Sequence, residues 1–268
     1  MRREAPVSYH APEAPAALLA RPGAWVFDLD GVIWLSDQPI SGSAEAVAKV
    51  RAAGHQVAFV TNNSSVPTAD IEAKLERFGI PARGEVIGSS QVAAALVSPD
   101  EVALVCAGPG VDAALLSRGV AVVREGDADV VVVGFHRDFD YERMRVASTA
   151  VLRGARLLAT NDDATYPTPE GPIPGGGAIL ASIVRATGVE PIVAGKPYEP
   201  MVRYVHDRLG DVGVMVGDRP DTDGRFGRAL GYQFGLVLSG VTRPEDLPVE
   251  PPPDFVAPDL VHLVGADR

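Results

Sequence analysis

Asp28-Leu29-Asp30-Gly31 follows directly on the apolar run Trp25-Val26-Phe27, so two carboxylates one residue apart stand where a strand would end. One carboxylate of such a pair can attack an electrophile such as phosphorus, while the other moves a proton on and off the leaving oxygen. Gly31 lets the backbone turn away. Read alone, the pair is equally a solvated strand end that caps a helix. Thr61-Asn62-Asn63-Ser64-Ser65 follows Val57–Val60. Hydroxyl, amide and N–H groups there suit phosphate oxygens, although Asn and Ser also fill ordinary turns. Lys196, between Gly195 and Pro197, follows Ile192–Ala194; it is a placed positive charge or a surface lysine. Asp218 follows Val212–Val216 in Gly217-Asp218-Arg219-Pro220-Asp221-Thr222-Asp223. Asp28 and Asp218 together suit Mg²⁺, which takes a few carboxylates, waters and substrate phosphate. The bland alternative is an acidic loop capping the next helix, and Asp221, Thr222 and Asp223 each fit that.

Taken in order (acid pair, Thr/Asn, Lys, acid), the set says more than its members. Three acids would repel one another without a cation, and Lys196 with Mg²⁺ supplies the missing positive charge. The elements needed to position them are legible. Trp25–Phe27, Val57–Val60, Val102–Val105, Val130–Val133, Ile192–Ala194 and Val212–Val216 are short apolar runs, mostly β-branched, that read as buried strands. Between them lie amphipathic patterns. Thr68–Phe78 predicts a helix with Thr68 as N-cap and Gly79 as its stop, and Ser43–Ala53 before Gly54 predicts another. Alternating strands and helices imply an α/β fold with mainly parallel strands. In such sheets functional residues lie beyond the carboxyl ends of the strands.

Composition narrows the partners. The net charge is −11, from 24 Lys and Arg against 35 Asp and Glu, which argues against general affinity for nucleic acid or an anionic membrane surface. No run approaches the roughly 18 apolar residues of a membrane span, and Met1–Ala20 does not read as a secretory leader. Cytoplasm is the expected compartment. Cys106, the single cysteine, sits in an apolar run and reads as a small buried hydrophobe.

At these residues the chain resembles the haloacid dehalogenase (HAD) superfamily phosphatases. The four motifs stand as DLDGV, FVTNN, AGKP and VGDRPDTD. Ala159-Thr160-Asn161-Asp162 with Pro167-Thr168, and Pro174-Gly175-Gly176-Gly177-Ala178, are similar to the NagD-like, nitrophenylphosphatase-type group. The resemblance implies a Rossmann-like parallel-sheet core, residues 1–98 with 191–268, and an inserted α/β cap, residues 99–190, with strands Val102–Val105, Val120–Val123, Val130–Val133 and Arg156–Ala159. It implies Asp28 as nucleophile and Asp30 as general acid and base. Thr61, Asn62, Asn63 and Lys196 would bind phosphate. Mg²⁺ would be held by the Asp28 carboxylate, the Asp30 backbone carbonyl and Asp218, with Asp223 supporting it from nearby. The implied substrate is a small phosphorylated metabolite, sn-glycerol 3-phosphate ahead of phosphoglycolate, pyridoxal phosphate and nucleoside monophosphates. Relatives often form homodimers through the cap. Gly224 departs from the family's usual apolar residue and is expected to loosen the start of the next helix by roughly 1 kcal/mol relative to Ala.

Other signals compete. Gly108-Pro109-Gly110-Val111-Asp112-Ala113 fits G-x-G-x-x-A after an apolar run, the best argument for a dinucleotide-binding oxidoreductase. A βα turn of the cap is preferred. A phosphometabolite sensor without turnover is a further alternative, weakened because Asp28, Asp30, Lys196 and Asp218 are all present. His55, His136 and His206 lack metal-site spacing and are expected to have structural or surface roles rather than to bind zinc. Trp34 either stacks on a substrate ring or packs, and Asp162, Asp163, Tyr166 and Pro167 form the loop that resembles the group's specificity region.

Overall fold

The parallel ladders of short apolar strands expected from the sequence are present in the structure, a computed structural model that describes residues 18–166, 168 and 171–266. The leader reading for the first residues and the loop residue Pro167 lie outside the described residues, except for the last three residues of Met1–Ala20. The chain divides into two compact units. One holds the described residues up to Val57 and from Val212 onward; the other spans Ala58–Asp211.

In the first unit, four strands run parallel in the order Phe255–Ala257, Gln233–Val237, Gly213–Gly217, Ala24–Phe27. Their side chains are almost wholly buried, which is why Trp25–Phe27 and Val212–Val216 read as continuous apolar runs rather than as alternating ones, while Gln233–Val237 and Phe255–Ala257 are strands that the sequence reading did not pick out. Trp25, Phe27, Phe226, Phe234 and Leu263 fill the core. The register sets Ala24 opposite Gly213 and Phe27 opposite Val216. Both strands therefore deliver the next residues, Asp28 and Asp218, to the same carboxyl edge.

In the second unit, Phe59–Thr61 pair in parallel with Val86–Gly88. A separate five-stranded parallel sheet has the order Ile192–Val193, Arg156–Ala159, Val130–Val133, Val102–Cys106, Ala121–Val123. The helices Tyr141–Leu152 and Gly176–Thr187 cover this sheet with Ala147, Ala150, Val151, Ile179, Leu180 and Ile183. Ile192–Val193 is thus an edge strand beside Arg156–Ala159.

One helix start differs from expectation. The helix Thr68–Arg77 begins at Thr68 itself, with Pro67 in the cap position and no side-chain capping bond. The Thr68 hydroxyl is engaged elsewhere, accepting from Gln91 Nε2 at 3.1 Å. Among the described residues no helix is long and apolar enough to cross a membrane.

Candidate active site

Asp28, Asp218 and Asp223 each offer a carboxylate oxygen within 4.8 Å of the others, and all three are buried. Asp28 leaves its strand with its N–H donating to the Val216 carbonyl at 2.8 Å, one residue before Gly217 and Asp218. Asp223 returns to the same place because residues 219–224 make a single wide turn, in which the N–H groups of Thr222, Asp223 and Gly224 all approach the Arg219 carbonyl. The Arg219 N–H donates to Asp223 Oδ2 at 3.1 Å. Gly217 permits this, since a Cβ there would lie 2.3 Å from the Asp223 carboxyl. Asp221 points away into an exposed pair with Arg219.

Such a cluster has a clear electrostatic demand. Ionised carboxylates at this spacing repel by a few kcal/mol per pair in partly desolvated surroundings, on the order expected from Coulomb's law with a moderate dielectric. A hard divalent cation relieves that, and an all-carboxylate set without His or Cys suits Mg²⁺ or Ca²⁺ rather than zinc.

A loop that the sequence reading missed completes the surroundings of Asp218. The Val241 N–H donates to Asp218 Oδ2 at 2.6 Å, and the Thr242 hydroxyl donates to the Asp218 carbonyl at 2.6 Å. Ser239 Oγ donates to the Gly31 carbonyl at 2.6 Å. Gly31 has φ +86°, and a Cβ on it would fall 2.4 Å from Asp218 Oδ2. Ser239-Gly240-Val241-Thr242 follows the strand Gln233–Val237, so inspecting the residues after every strand finds it once that strand is recognised.

Asp30 follows Asp28 by two residues and is half-buried. Its Oδ1 accepts from the Trp34 indole at 3.0 Å. Trp34 is buried.

In the other unit, Asn62 and Lys196 come together. Asn62 Oδ1 accepts from the Lys196 N–H at 2.8 Å, and Asn62 Nδ2 donates to the Lys196 carbonyl and to Asp163 Oδ2, both at 3.1 Å. The Asn62 amide is therefore a clasp on the backbone of Lys196. A Cβ on Gly195 would lie 2.5 Å from Asn62 Oδ1, so the preceding glycine is required by this approach. Asn161 Nδ2 and Ser89 Oγ both donate to the Asn62 carbonyl. Thr61 Oγ1 accepts from the Asn63 N–H at 3.0 Å, and Asn63 Oδ1 accepts from the Ser65 N–H and hydroxyl. Thr61, Asn62 and Lys196 are buried. Tyr198 OH donates to Asp162 in the same region.

The Gly108–Ala113 pattern has a structural explanation. A Cβ on Gly110 would sit 2.3 Å from the Val66 carbonyl oxygen and 2.5 Å from that of Ser64, and one on Gly108 would sit 2.8 Å from that of Ser65. These glycines admit the protein's own backbone where a dinucleotide site would admit a pyrophosphate, and Pro109 opens the helix Pro109–Ser117. His55 bridges the Gly23 and Leu19 carbonyls, and His136 Nδ1 contacts the Gly134 carbonyl. Both rings thus contact backbone carbonyls.

A parallel α/β sheet with a buried carboxylate group at its carboxyl edge suits an enzyme that works with a divalent cation, and comparison with known proteins gives the family. A haloacid dehalogenase-like hydrolase model matches residues 25–121, and a HAD-hydrolase-like model matches residues 193–263. The chain belongs to the haloacid dehalogenase-like hydrolase family. It is 30% identical over 250 residues to an acid sugar phosphatase of Staphylococcus saprophyticus, covering 90% of this chain and 96% of that one. The crystal structure of a 4-nitrophenylphosphatase from Thermotoga maritima superposes with a TM-score of 0.85 at 31% identity, covering 94% of this chain and 99% of that one. A glycerol phosphate phosphatase from Mycobacterium tuberculosis in complex with magnesium gives 0.82 at 31% identity, over 91% and 77%.

Proposed function

We propose that this protein is a Mg²⁺-dependent phosphatase that hydrolyses a small phosphomonoester through an aspartyl-phosphate intermediate on Asp28. The observation that carries the reading is the buried group of Asp28, Asp218 and Asp223. Asp28 and Asp218, with the Asp30 backbone carbonyl, would hold Mg²⁺ and Asp223 would support it from nearby; the ion when bound lowers the charge on the transferring phosphoryl group. Asp28 attacks phosphorus in line. Asp30 gives a proton to the leaving oxygen, then takes one from the water that releases phosphate. On the family resemblance, Thr61, Asn62, Asn63 and Lys196 belong to the phosphate-binding set.

The substrate preference we infer is sn-glycerol 3-phosphate, followed by phosphoglycolate, pyridoxal phosphate and nucleoside monophosphates. A relative named for glycerol phosphate and others named for acid sugars support a small polyhydroxylated partner. Residues 99–190 are proposed as a cap that shapes the pocket, with 1–98 and 191–268 as the catalytic core. A homodimer through the cap and a cytoplasmic setting belong to the same reading.

The test is phosphate release from p-nitrophenyl phosphate and a metabolite panel, with Mg²⁺ and with excess EDTA. Turnover that needs Mg²⁺ and is lost in Asp28→Asn is expected. No release from any panel member in Mg²⁺ overturns the reading.

A further inference from the structure

Trp34 is 4% exposed, and its indole N–H meets Asp30 Oδ1 at 3.0 Å. The backbone holds it there. The Trp34 N–H donates to the Leu29 carbonyl at 3.2 Å, and the Trp34 carbonyl accepts from the Gly31 N–H at 2.7 Å. The short strand Trp34–Leu35 pairs antiparallel with Gln38–Pro39. The chain thus folds back within four residues to lay the indole on the carboxyl group.

An indole N–H only donates. The oxygen it meets must accept, and the carbonyl oxygen of a neutral carboxyl accepts better than its hydroxyl oxygen, so the contact favours placing the proton of a neutral Asp30 on the other oxygen, Oδ2. Building on the phosphatase reading, we propose that Trp34 is a positioning residue for proton transfer at Asp30, holding the carboxyl plane and reserving Oδ2 as the oxygen that carries the proton. In the first step the Asp28 oxygen–phosphorus bond forms, the ester P–O bond breaks, and the Oδ2 proton moves to the leaving oxygen. In the second, a water oxygen bonds to phosphorus, the Asp28–phosphorus link breaks, and the water proton returns to Oδ2.

Trp34→Phe keeps the aromatic bulk and removes the donor. An alkoxide needs its proton to leave, whereas nitrophenolate leaves unaided, so the two substrates separate positioning from packing. In saturating Mg²⁺, kcat/KM for glycerol 3-phosphate is expected to fall about tenfold further than kcat/KM for p-nitrophenyl phosphate. Equal losses on both, or none on either, overturn the proposal. Wild-type protein inactive on every phosphomonoester instead removes the phosphatase reading, a distinct outcome. Because a buried Trp34→Phe can unfold the chain, a second measurement uses the indole signals of the two tryptophans by NMR. Asp30→Ala is expected to move one of them, and both staying in place refutes the contact.

Discussion

Gly240 lies against Asp218 with no room for a side chain: a Cβ would fall 2.0 Å from Asp218 Oδ2 and 2.8 Å from its Cβ. Asp218 cannot swing aside freely, because Oδ2 is also held by the Val241 N–H. Gly240→Ala is therefore expected to displace one carboxylate of the buried group while leaving the fold in place. The Mg²⁺ concentration giving half-maximal activity should rise tenfold or more, in the range seen when the supports of a metal ligand are removed. A titration of activity against Mg²⁺ superimposable on wild type would show that Asp218 does not serve the metal.

Asp223 and Asp221 lie two residues apart and make opposite predictions. Asp223 is buried with its oxygen in the carboxylate group, while Asp221 is exposed beside Arg219. Asp223→Asn is expected to weaken Mg²⁺ binding by about 10–100-fold. Asp221→Asn should stay within about 0.5 kcal/mol of wild-type stability, as exposed ion pairs contribute little, and should leave Mg²⁺ dependence alone. Calorimetric titration with Mg²⁺ compares the two directly; matching affinities would remove Asp223 from the site.

The contrast between these two aspartates also marks what a reader of the sequence can and cannot extract. Val130–Val133 is legible because four consecutive β-branched residues are buried on both faces. Asp28 and Asp218 are legible because each follows such a run, and a parallel register then brings them to one edge. Asp223 has no such marker: its approach to Asp28 depends on a wide turn and on the missing side chain of Gly217. Likewise Ile192–Val193 announces a strand but not its partner, Arg156–Ala159, which lies more than 30 residues earlier in the chain. Gly224 reads as a loosened helix start, yet a Cβ there would sit 2.9 Å from the Phe234 ring and 3.1 Å from Pro251. The glycine is required by a close approach between segments far apart in the chain, so Gly224→Val is expected to destabilise by about 1–3 kcal/mol through overpacking.

Cys106 offers a pH test of the second unit. Burial raises its thiol from 9.0 to about 11, because the thiolate loses its water on transfer into the core. The folded state then holds the proton more tightly than the unfolded chain. Between about pH 9 and 11 the unfolded state ionises first, so this group's contribution to stability falls as pH rises across that window. Denaturant melts over this range should show a steeper alkaline loss for wild type than for Cys106→Ala. A thiol reagent at pH 8 should leave the folded protein unlabelled. Rapid labelling without unfolding would contradict the burial.

Gly110 separates the two readings of the Gly108–Ala113 segment. The carbonyls of Val66 and Ser64 occupy the space before it. Gly110→Ala should thus cost about 1–3 kcal/mol by forcing backbone apart, roughly 2–10 °C in Tm for a chain of this size. Calorimetry with NAD or NADP should give no heat of binding for wild type. Tight dinucleotide binding abolished by this substitution would reinstate the cofactor reading.

Asn62 also has a structural task, which its side-chain hydrogen bonds define. Its amide accepts from the Lys196 N–H and donates to the Lys196 carbonyl and to Asp163. Asn62→Ala takes one partner from each of two buried backbone groups of Lys196 and from the partly buried Asp163 carboxylate. Buried groups left unsatisfied cost roughly 1–3 kcal/mol apiece before water or relaxation compensates, so a loss of about 2–4 kcal/mol is expected, or roughly 5–15 °C in Tm. Asn62→Asp discriminates between a clasp and a simple spacer. It preserves shape and the acceptor for the Lys196 N–H, but turns both donors into an oxygen facing the Lys196 carbonyl and the Asp163 carboxylate, where acceptors meet acceptors. It should therefore be no more stable than Asn62→Ala, despite being nearly isosteric with wild type. A near-wild-type melting temperature for Asn62→Asp would mean that the segment carrying Lys196 is held by something other than this amide.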